Sequence, residues 1–301
     1  MKFILDKYYE KTRGFYPFFK YCPKIYWEHY LKRRAFDVLG YEYDWKNPKT
    51  LNEKIRWLIY NEKLDLKTKL TDKILVKSYV AQKIGKNHTA ELYGVYNDFD
   101  EIDFDVLPNE FVLKANSGWK MNLFINNKNL INQKTKKQLK AVTKKWLNTN
   151  FEFFSVEPQY RNIKRKLLIE RQRYINPDDY RKDIQVHCFN GYPLFFEIRN
   201  QNDRHYFNKE WQPQDFTYHR QSTKETIISK PKCLDKIIEY SRILSAEFSY
   251  VRVDFAMDDK DIHVVEMTFT PHSAIIKFKN KEIDIELGKH LILPIERNSS
   301  G

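Results

Sequence analysis

The stretch that decides the fold reads Arg252-Val253-Asp254-Phe255 and then, past a polar link, Val265-Glu266-Met267-Thr268-Phe269-Thr270-Pro271. Side chains alternate along a strand, so Arg252 and Asp254 share one face of the first run, as Glu266 and Thr268 do in the second. The link Met257-Asp258-Asp259-Lys260-Asp261 suits the turn of an antiparallel hairpin. Paired that way, Asp254 and Glu266 point into one site with Arg252 beside them. Two carboxylates and a hydroxyl oxygen are hard donors, suited to Mg²⁺ that also carries phosphates. A surface ladder of ion pairs would show the same alternation. The intervening residues, however, are apolar: Val251, Val253, Phe255, Val264, Val265, Met267 and Phe269. They make the opposite face an interior one, and charges next to an interior need a partner or a ligand. The pattern predicts a phosphate-handling site.

Composition sets the outer bounds. The 301 residues suffice for one large multi-lobed domain or two domains with a sizeable core. With 42% hydrophobic and 31% charged residues, the chain is globular rather than disordered. Only 8 glycines occur and no GxGxxG, which argues against a dinucleotide-binding fold. A net charge of +13 favours anionic partners, although a coding bias toward Lys and Asn gives the same excess. The basic residues are spread along the chain, which weakens a nucleic-acid reading. Cys22, Cys188 and Cys233 form no CxxC pair, so reduced thiols are expected rather than disulfides or zinc. The start, Met1 to Asp6, lacks the apolar region of a signal peptide, and no run approaches the ~18 apolar residues of a spanning helix. A cytoplasmic location is expected.

Along the chain, residues 8–36 mix aromatics such as Phe15, Tyr26 and Trp27 with Lys and Arg. This suits a helix packed on the body, or an interfacial helix giving peripheral contact with the inner face of a membrane. Thr50 and Glu53 have capping-box spacing ahead of Leu51, Ile55, Leu58 and Ile59. A second helix is expected from Thr71 to Ile84, closed by Gly85. Strands are expected at 92–96, 111–114, 123–125 and 166–170, and a basic helix at 132–147. Asn190-Gly191 signals a hairpin between 183–190 and 192–199. Helices over 233–248 and from Ile283 complete the body, and the tail after residue 294 is expected to be disordered.

Lys114 ends an apolar strand before a polar turn, where an ammonium can meet phosphate oxygens. Lys166 opens another apolar strand four residues before Glu170. His187 reads as a satisfied core or edge histidine rather than a base. HExxH and GxSxG are absent, and Cys188 lacks the setting of a nucleophile.

In order, these pieces resemble the ATP-grasp superfamily, and most of all its TupA-like branch from bacterial surface-polysaccharide biosynthesis. The likeness runs from about Pro48 to Pro294. It rests on Thr50 to Trp57, Asp72-Lys73, Val76-Lys77, Phe111 to Asn116, Cys188 to Gly191, Lys230-Pro231, Val251 to Phe255 and Glu266 to Pro271. The resemblance implies an α+β fold with two antiparallel-sheet lobes clasping ATP and an N-terminal helical region. By that pattern residues 1–47 form an aromatic and basic helical segment and 48–108 a helical or mixed subdomain. Residues 109–175 form the ATP-lid lobe, 176–294 the catalytic lobe and 295–301 the tail.

The same resemblance assigns roles. Lys114 and Lys166 would hold phosphates, and Glu170 would belong to the adenine hinge. Asp254, Glu266 and Thr268 would bind Mg²⁺, and Arg252 would neutralise an oxyanion during acyl transfer. In two places the chain departs from the family. Its loop reads Asn116-Ser117-Gly118-Trp119-Lys120-Met121-Asn122, with Lys120 in place of a glycine and as a further cation for phosphate, and Gln185 replaces an expected lysine.

The activity implied is ATP-dependent joining of a carboxylate to an amine through an acyl phosphate. The expected substrates are a uronic-acid sugar and an amino acid or small amine, in capsule or cell-surface polysaccharide synthesis. A glycosyltransferase using a nucleotide sugar is the alternative, though Asp258-Asp259 reads as turn chemistry rather than a DxD motif. A basic scaffold or RNA-binding protein is the non-enzymatic reading.

Overall fold

The computed structural model describes residues 24–152, 156–172, 183–199, 204–216, 228–257 and 261–294. Helix α1 (Lys24–Leu39) buries Leu31 and Ala35, one turn apart. The aromatic segment before Lys24, the tail after residue 294 and Cys22 lie outside the described residues. Helix α2 (Leu51–Asn61) begins at the expected capping box, with Thr50 and Glu53 satisfying each other's backbone N–H groups.

Helix α2 also buries polar side chains. Asn52 donates to the Ile276 carbonyl (2.9 Å) and accepts from the Ile276 N–H (2.7 Å). Lys54 donates to the Leu291 carbonyl (2.9 Å). Arg56, fully buried, donates to the carbonyls of Val156 and Ser273. A buried donor without an acceptor is costly, so these bonds fix where the C-terminal loops sit.

The expected helix over 71–84 is shorter, α4 (Leu75–Ile84), and a separate helix, α3 (Asp65–Thr71), ends just before it. Asp72 ends the first with an extended backbone, and its carboxylate accepts the Ile74 N–H at 2.8 Å. This Asx turn competes with helix continuation. Gly85 closes α4 with φ +108, as expected.

Strands β1 (Leu92–Tyr96), β2 (Phe111–Ala115), β3 (Asn122–Ile125) and β4 (Leu167–Glu170) form one antiparallel sheet in the order β1-β4-β2-β3. The sheet reaches back to residue 92, across the boundary expected between residues 108 and 109. Helix α5 (Gln133–Asn148) covers it through Leu139 and Trp146, which pack with Phe111, Leu113, Leu167 and Ile169.

The second sheet joins β5 (Asp183–Phe189), β6 (Tyr192–Arg199), β7 (Arg204–Asn208), β8 (Pro213–Gln214), β9 (Tyr250–Met257) and β10 (Ile262–Thr268). Its order is β10-β9-β5-β6-β7-β8, antiparallel throughout. The β5–β6 turn has positive φ at Asn190 (52°) and Gly191 (83°), as its sequence predicted. One face is closed by α4 and by α6 (Leu234–Ser245), which meet Val186, Val251, Val253 and Phe255. At one end of the other face, α2 and α7 (Lys281–His290) pack on Phe189, Phe195, Tyr206 and Tyr250. The rest of that face is polar.

Candidate active site

The polar face is built by register. Glu266 pairs with Asp254, Thr268 with Arg252, Gln185 with Asp254, and Glu197 with Gln185. Glu266, Asp254, Gln185 and Glu197 therefore lie in one row across four strands, and Thr268, Arg252 and His187 in the next. A β-bulge makes this possible. Val264 pairs with Phe255, whereas Glu266 pairs with Asp254, so Val265 is the extra residue. Regular alternation would have set Glu266 opposite Val253, on the core face. Val265, expected among the interior residues, is 38% exposed.

Arg252 organises the pair. Its Nε donates to Asp254 Oδ1 and its Nη2 to Asp254 Oδ2, both at 2.7 Å. The same Nη2 reaches Glu266 Oε1 and Thr268 Oγ1 at 3.3 Å each. Gln185 donates its amide to Asp254 Oδ2 at 3.1 Å, a neutral donor where a lysine was expected. Burial pushes the Asp254 carboxyl up to about 8, aided by Glu266 and opposed by Arg252. Burial also acts to raise Glu266, but Lys73 and Arg252 outweigh it and hold that carboxyl below its ordinary value. Arg252 stays protonated: burial opposes its charge, and the paired carboxylates more than restore it.

On the first sheet, Glu170 is buried between two lysines. Lys114 lies 2.5 Å from one of its oxygens and Lys77 2.7 Å from the other. Desolvation works against the Glu170 charge, and the two ammonium groups overcome it and lower its pKa. Lys166 is held by its backbone, whose N–H donates to Asn116 Oδ1 at 2.8 Å. The exposed Lys120 stacks its ammonium over the Trp119 ring at 4.4 Å. It has φ +56, in the left-handed region that favours glycine, the residue expected there from the resemblance. Gly118 (φ +100) cannot be replaced, because a Cβ there would lie 2.3 Å from the Phe151 ring.

Lys73 joins the two sets, although the resemblance implied no role for it. It sits in the break between α3 and α4. Its N–H donates to the Asn116 carbonyl (2.9 Å) and its ammonium to the Gly118 carbonyl (2.7 Å). Its charge acts on Glu266, Lys114 and Glu170, and burial lowers its pKa. Lys77, which belongs to the resemblance with no implied role, holds Glu170. Only the helix break exposes Lys73 as a site residue, and a periodicity read as one continuous helix hides it.

His187 is a satisfied buried histidine. Nδ1 faces the Tyr250 hydroxyl at 2.8 Å, Nε2 faces Glu197 at 3.4 Å, and the ring stacks on Phe195. Cys188 and Cys233 are free thiols, and burial pushes Cys188 up to about 12, far from a reactive thiolate.

This donor set fits ATP and Mg²⁺. Asp254, Glu266 and Thr268 present hard oxygens, and Lys73, Lys77 and Lys114 present cations. Among the described residues no group of three or more His, Cys, Asp or Glu could hold a metal. A pair of carboxylates with a hydroxyl suits an ion that shares its shell with phosphates.

The TupA-like ATPgrasp family model matches residues 53–292. No curated protein matches the sequence. Among solved structures, the chain is similar to the D-alanine–D-alanine ligase of Helicobacter pylori, with 14% identity over 82% of this chain and 67% of that one and a TM-score of 0.43. The Bacillus anthracis D-alanine–D-alanine ligase complexed with ATP shows 16% identity over 77% and 69%, with a TM-score of 0.41. N5-carboxyaminoimidazole ribonucleotide synthetase as its ADP complex shows 12% over 80% and 57%, with a TM-score of 0.43. With its α+β architecture of helices and two antiparallel sheets, the chain belongs to the TupA-like ATP-grasp family.

Proposed function

We propose that the protein uses ATP to join the carboxylate of a uronic-acid sugar to an amino acid or small amine, during synthesis of a bacterial cell-surface polysaccharide. The observation that carries the ligase chemistry is the bulge at Val265, which sets Glu266 opposite Asp254 with Arg252 bonded to both. The sugar and the pathway follow from the family likeness alone.

In this reading Lys114, Lys166 and Lys73 hold the phosphates of ATP, and Lys120 extends over them from its loop. Glu170 lies at the adenine hinge and keeps Lys114 and Lys77 in place. Asp254, Glu266 and Thr268 hold Mg²⁺, which when bound neutralises phosphate charge. Arg252 fixes both oxygens of Asp254 and places a permanent positive charge where the acyl oxygen gains negative charge as the amine attacks. No side-chain nucleophile is needed. Among the described residues no helix is long and apolar enough to cross a membrane. Peripheral membrane contact through the N-terminal aromatic segment remains part of the proposal.

Calorimetric titration of ATP with and without Mg²⁺, beside a panel of nucleotide sugars, tests this. Mg²⁺-dependent ATP binding, followed by ADP release with a uronate and an amine, is expected. Nucleotide-sugar binding without ATP binding would instead mark a glycosyltransferase.

A further inference from the structure

The polar row does not end at Asp254. It continues through Gln185 to Glu197, two strands away and roughly 10 Å across the sheet. Glu197 is 2% exposed, and it receives Arg204 Nη1 from β7 at 3.2 Å. Arg204 shares the face of Glu197, because Tyr206 pairs with Glu197 and Arg204 lies two residues before it. The same Nη1 lies 2.7 Å from His272 Nε2. An arginine only donates, so Nε2 accepts, which fixes the neutral tautomer with its hydrogen on Nδ1.

His272 is brought there by strained backbone. It has φ +53, and the next two residues, Ser273 and Ala274, have φ +55 and +50. Three left-handed non-glycine residues in a row persist only when their surroundings hold them. Here Arg56 bonds the Ser273 carbonyl and Tyr43 the Ala274 carbonyl. The turn follows Thr268 by four residues, so it leaves the strand carrying the proposed metal ligands and returns over the same face. Arg204 keeps 26% of its side chain exposed, and His272 is exposed beside it.

We infer that Arg204 and His272 form an anion-recognition site for the substrate other than ATP. A guanidinium backed by a buried carboxylate and an imidazole of fixed tautomer supply charge-assisted donors for a carboxylate or phosphate group. The inference rests on the ligase reading above and deepens it, since it names the group by which that substrate is recognised.

The test is calorimetry on the full chain, with Mg²⁺ and a non-hydrolysable ATP analogue present. D-glucuronate is compared with glucuronamide, L-alanine with alaninamide, and glucose 1-phosphate with glucose. In the wild type, at least one anion should bind about tenfold or more tighter than its counterpart, the scale of charged hydrogen bonds, and the pair that responds identifies the source of the anion. Arg204→Lys keeps the charge but loses the fork, and His272→Asn keeps a residue that tolerates the left-handed backbone. Both variants should lose most of that preference while binding the ATP analogue as the wild type does. A preference that persists undiminished in both, or a wild type that binds nucleotide but prefers no anion, overturns the inference. A wild type that binds no nucleotide refutes the ligase reading itself.

Discussion

The two sheets carry charge in opposite senses. On the four-stranded sheet one carboxylate, Glu170, is shared by two lysines, Lys114 and Lys77. On the six-stranded sheet one arginine, Arg252, is shared by two carboxylates, Asp254 and Glu266. Each half is nearly compensated internally, which is what allows it to be buried. Each also keeps a surplus of one kind of group, ammonium on one side and carboxyl on the other. Phosphate oxygens answer the first surplus and a divalent cation the second, so ATP with Mg²⁺ completes both. The halves also differ in how they are built. In the lysine half, regular pairing is enough to bring Lys114 to Glu170, with Val112 opposite Glu170 and Lys114 opposite Leu168, and α4 adds Lys77. The carboxylate half needs an irregularity, the bulge at Val265.

Breaking the negative half has the largest expected effect. Asp254→Asn and Glu266→Gln should each lower ADP release by roughly 10²–10³-fold, the scale of losing one preorganised electrostatic group. Circular dichroism should stay native, and wild-type turnover in either variant would reject the metal assignment. Arg252→Ala should slow amide formation by about 10²-fold while ATP binding persists, measured by single-turnover kinetics beside calorimetry. It should also lower stability by about 3 kcal/mol, because it strands a buried carboxylate. Loss of ATP binding alone would show that Arg252 serves the nucleotide instead.

Breaking the positive half is milder. Lys114→Ala should weaken ATP binding about tenfold, as loss of a charge-assisted contact does. Lys120→Ala should weaken it less than about threefold, because that lysine is exposed and engaged with Trp119. Equal losses at the two sites would mean that the Lys120 loop closes over the phosphates.

The smallest effect on activity is expected away from both halves. Asp284 accepts from Tyr41 and from Asn52 (2.7 Å), and burial raises its carboxyl from 3.8 to about 6. The folded state therefore binds this proton more tightly than the unfolded chain. The associated stability is complete below about pH 4 and is lost as pH rises through about 6, up to about 3 kcal/mol. Chemical denaturation of Asp284→Asn should show a flatter pH dependence over that window, with turnover unchanged. An unaltered pH profile would contradict the raised carboxyl.

The signals that matched the structure are mostly local. The capping box of Thr50 and Glu53, the Asn190-Gly191 turn and the closure of α4 at Gly85 each depend on a few adjacent residues. Lys73 escaped because hydrophobic periodicity carries through Asp72, whereas the Asp72 carboxylate prefers its own backbone and Asn116 (2.8 Å). Arg204 and His272 escaped because neither stands in a motif.

The alternation in Arg252-Val253-Asp254-Phe255 and Glu266-Met267-Thr268 determined which residue types could form the site, since a strand repeats every two residues whatever surrounds it. The ordered motifs from Thr50 to Pro271 determined the family. Only the tertiary structure decided that Glu266 faces Asp254 rather than the core, that Lys73 reaches the same site, and that β5 and β6 carry the polar row on to Arg204 and His272. Those outcomes depend on a bulge, a helix break and a strand order of β10-β9-β5-β6-β7, each settled by packing between segments far apart in the chain.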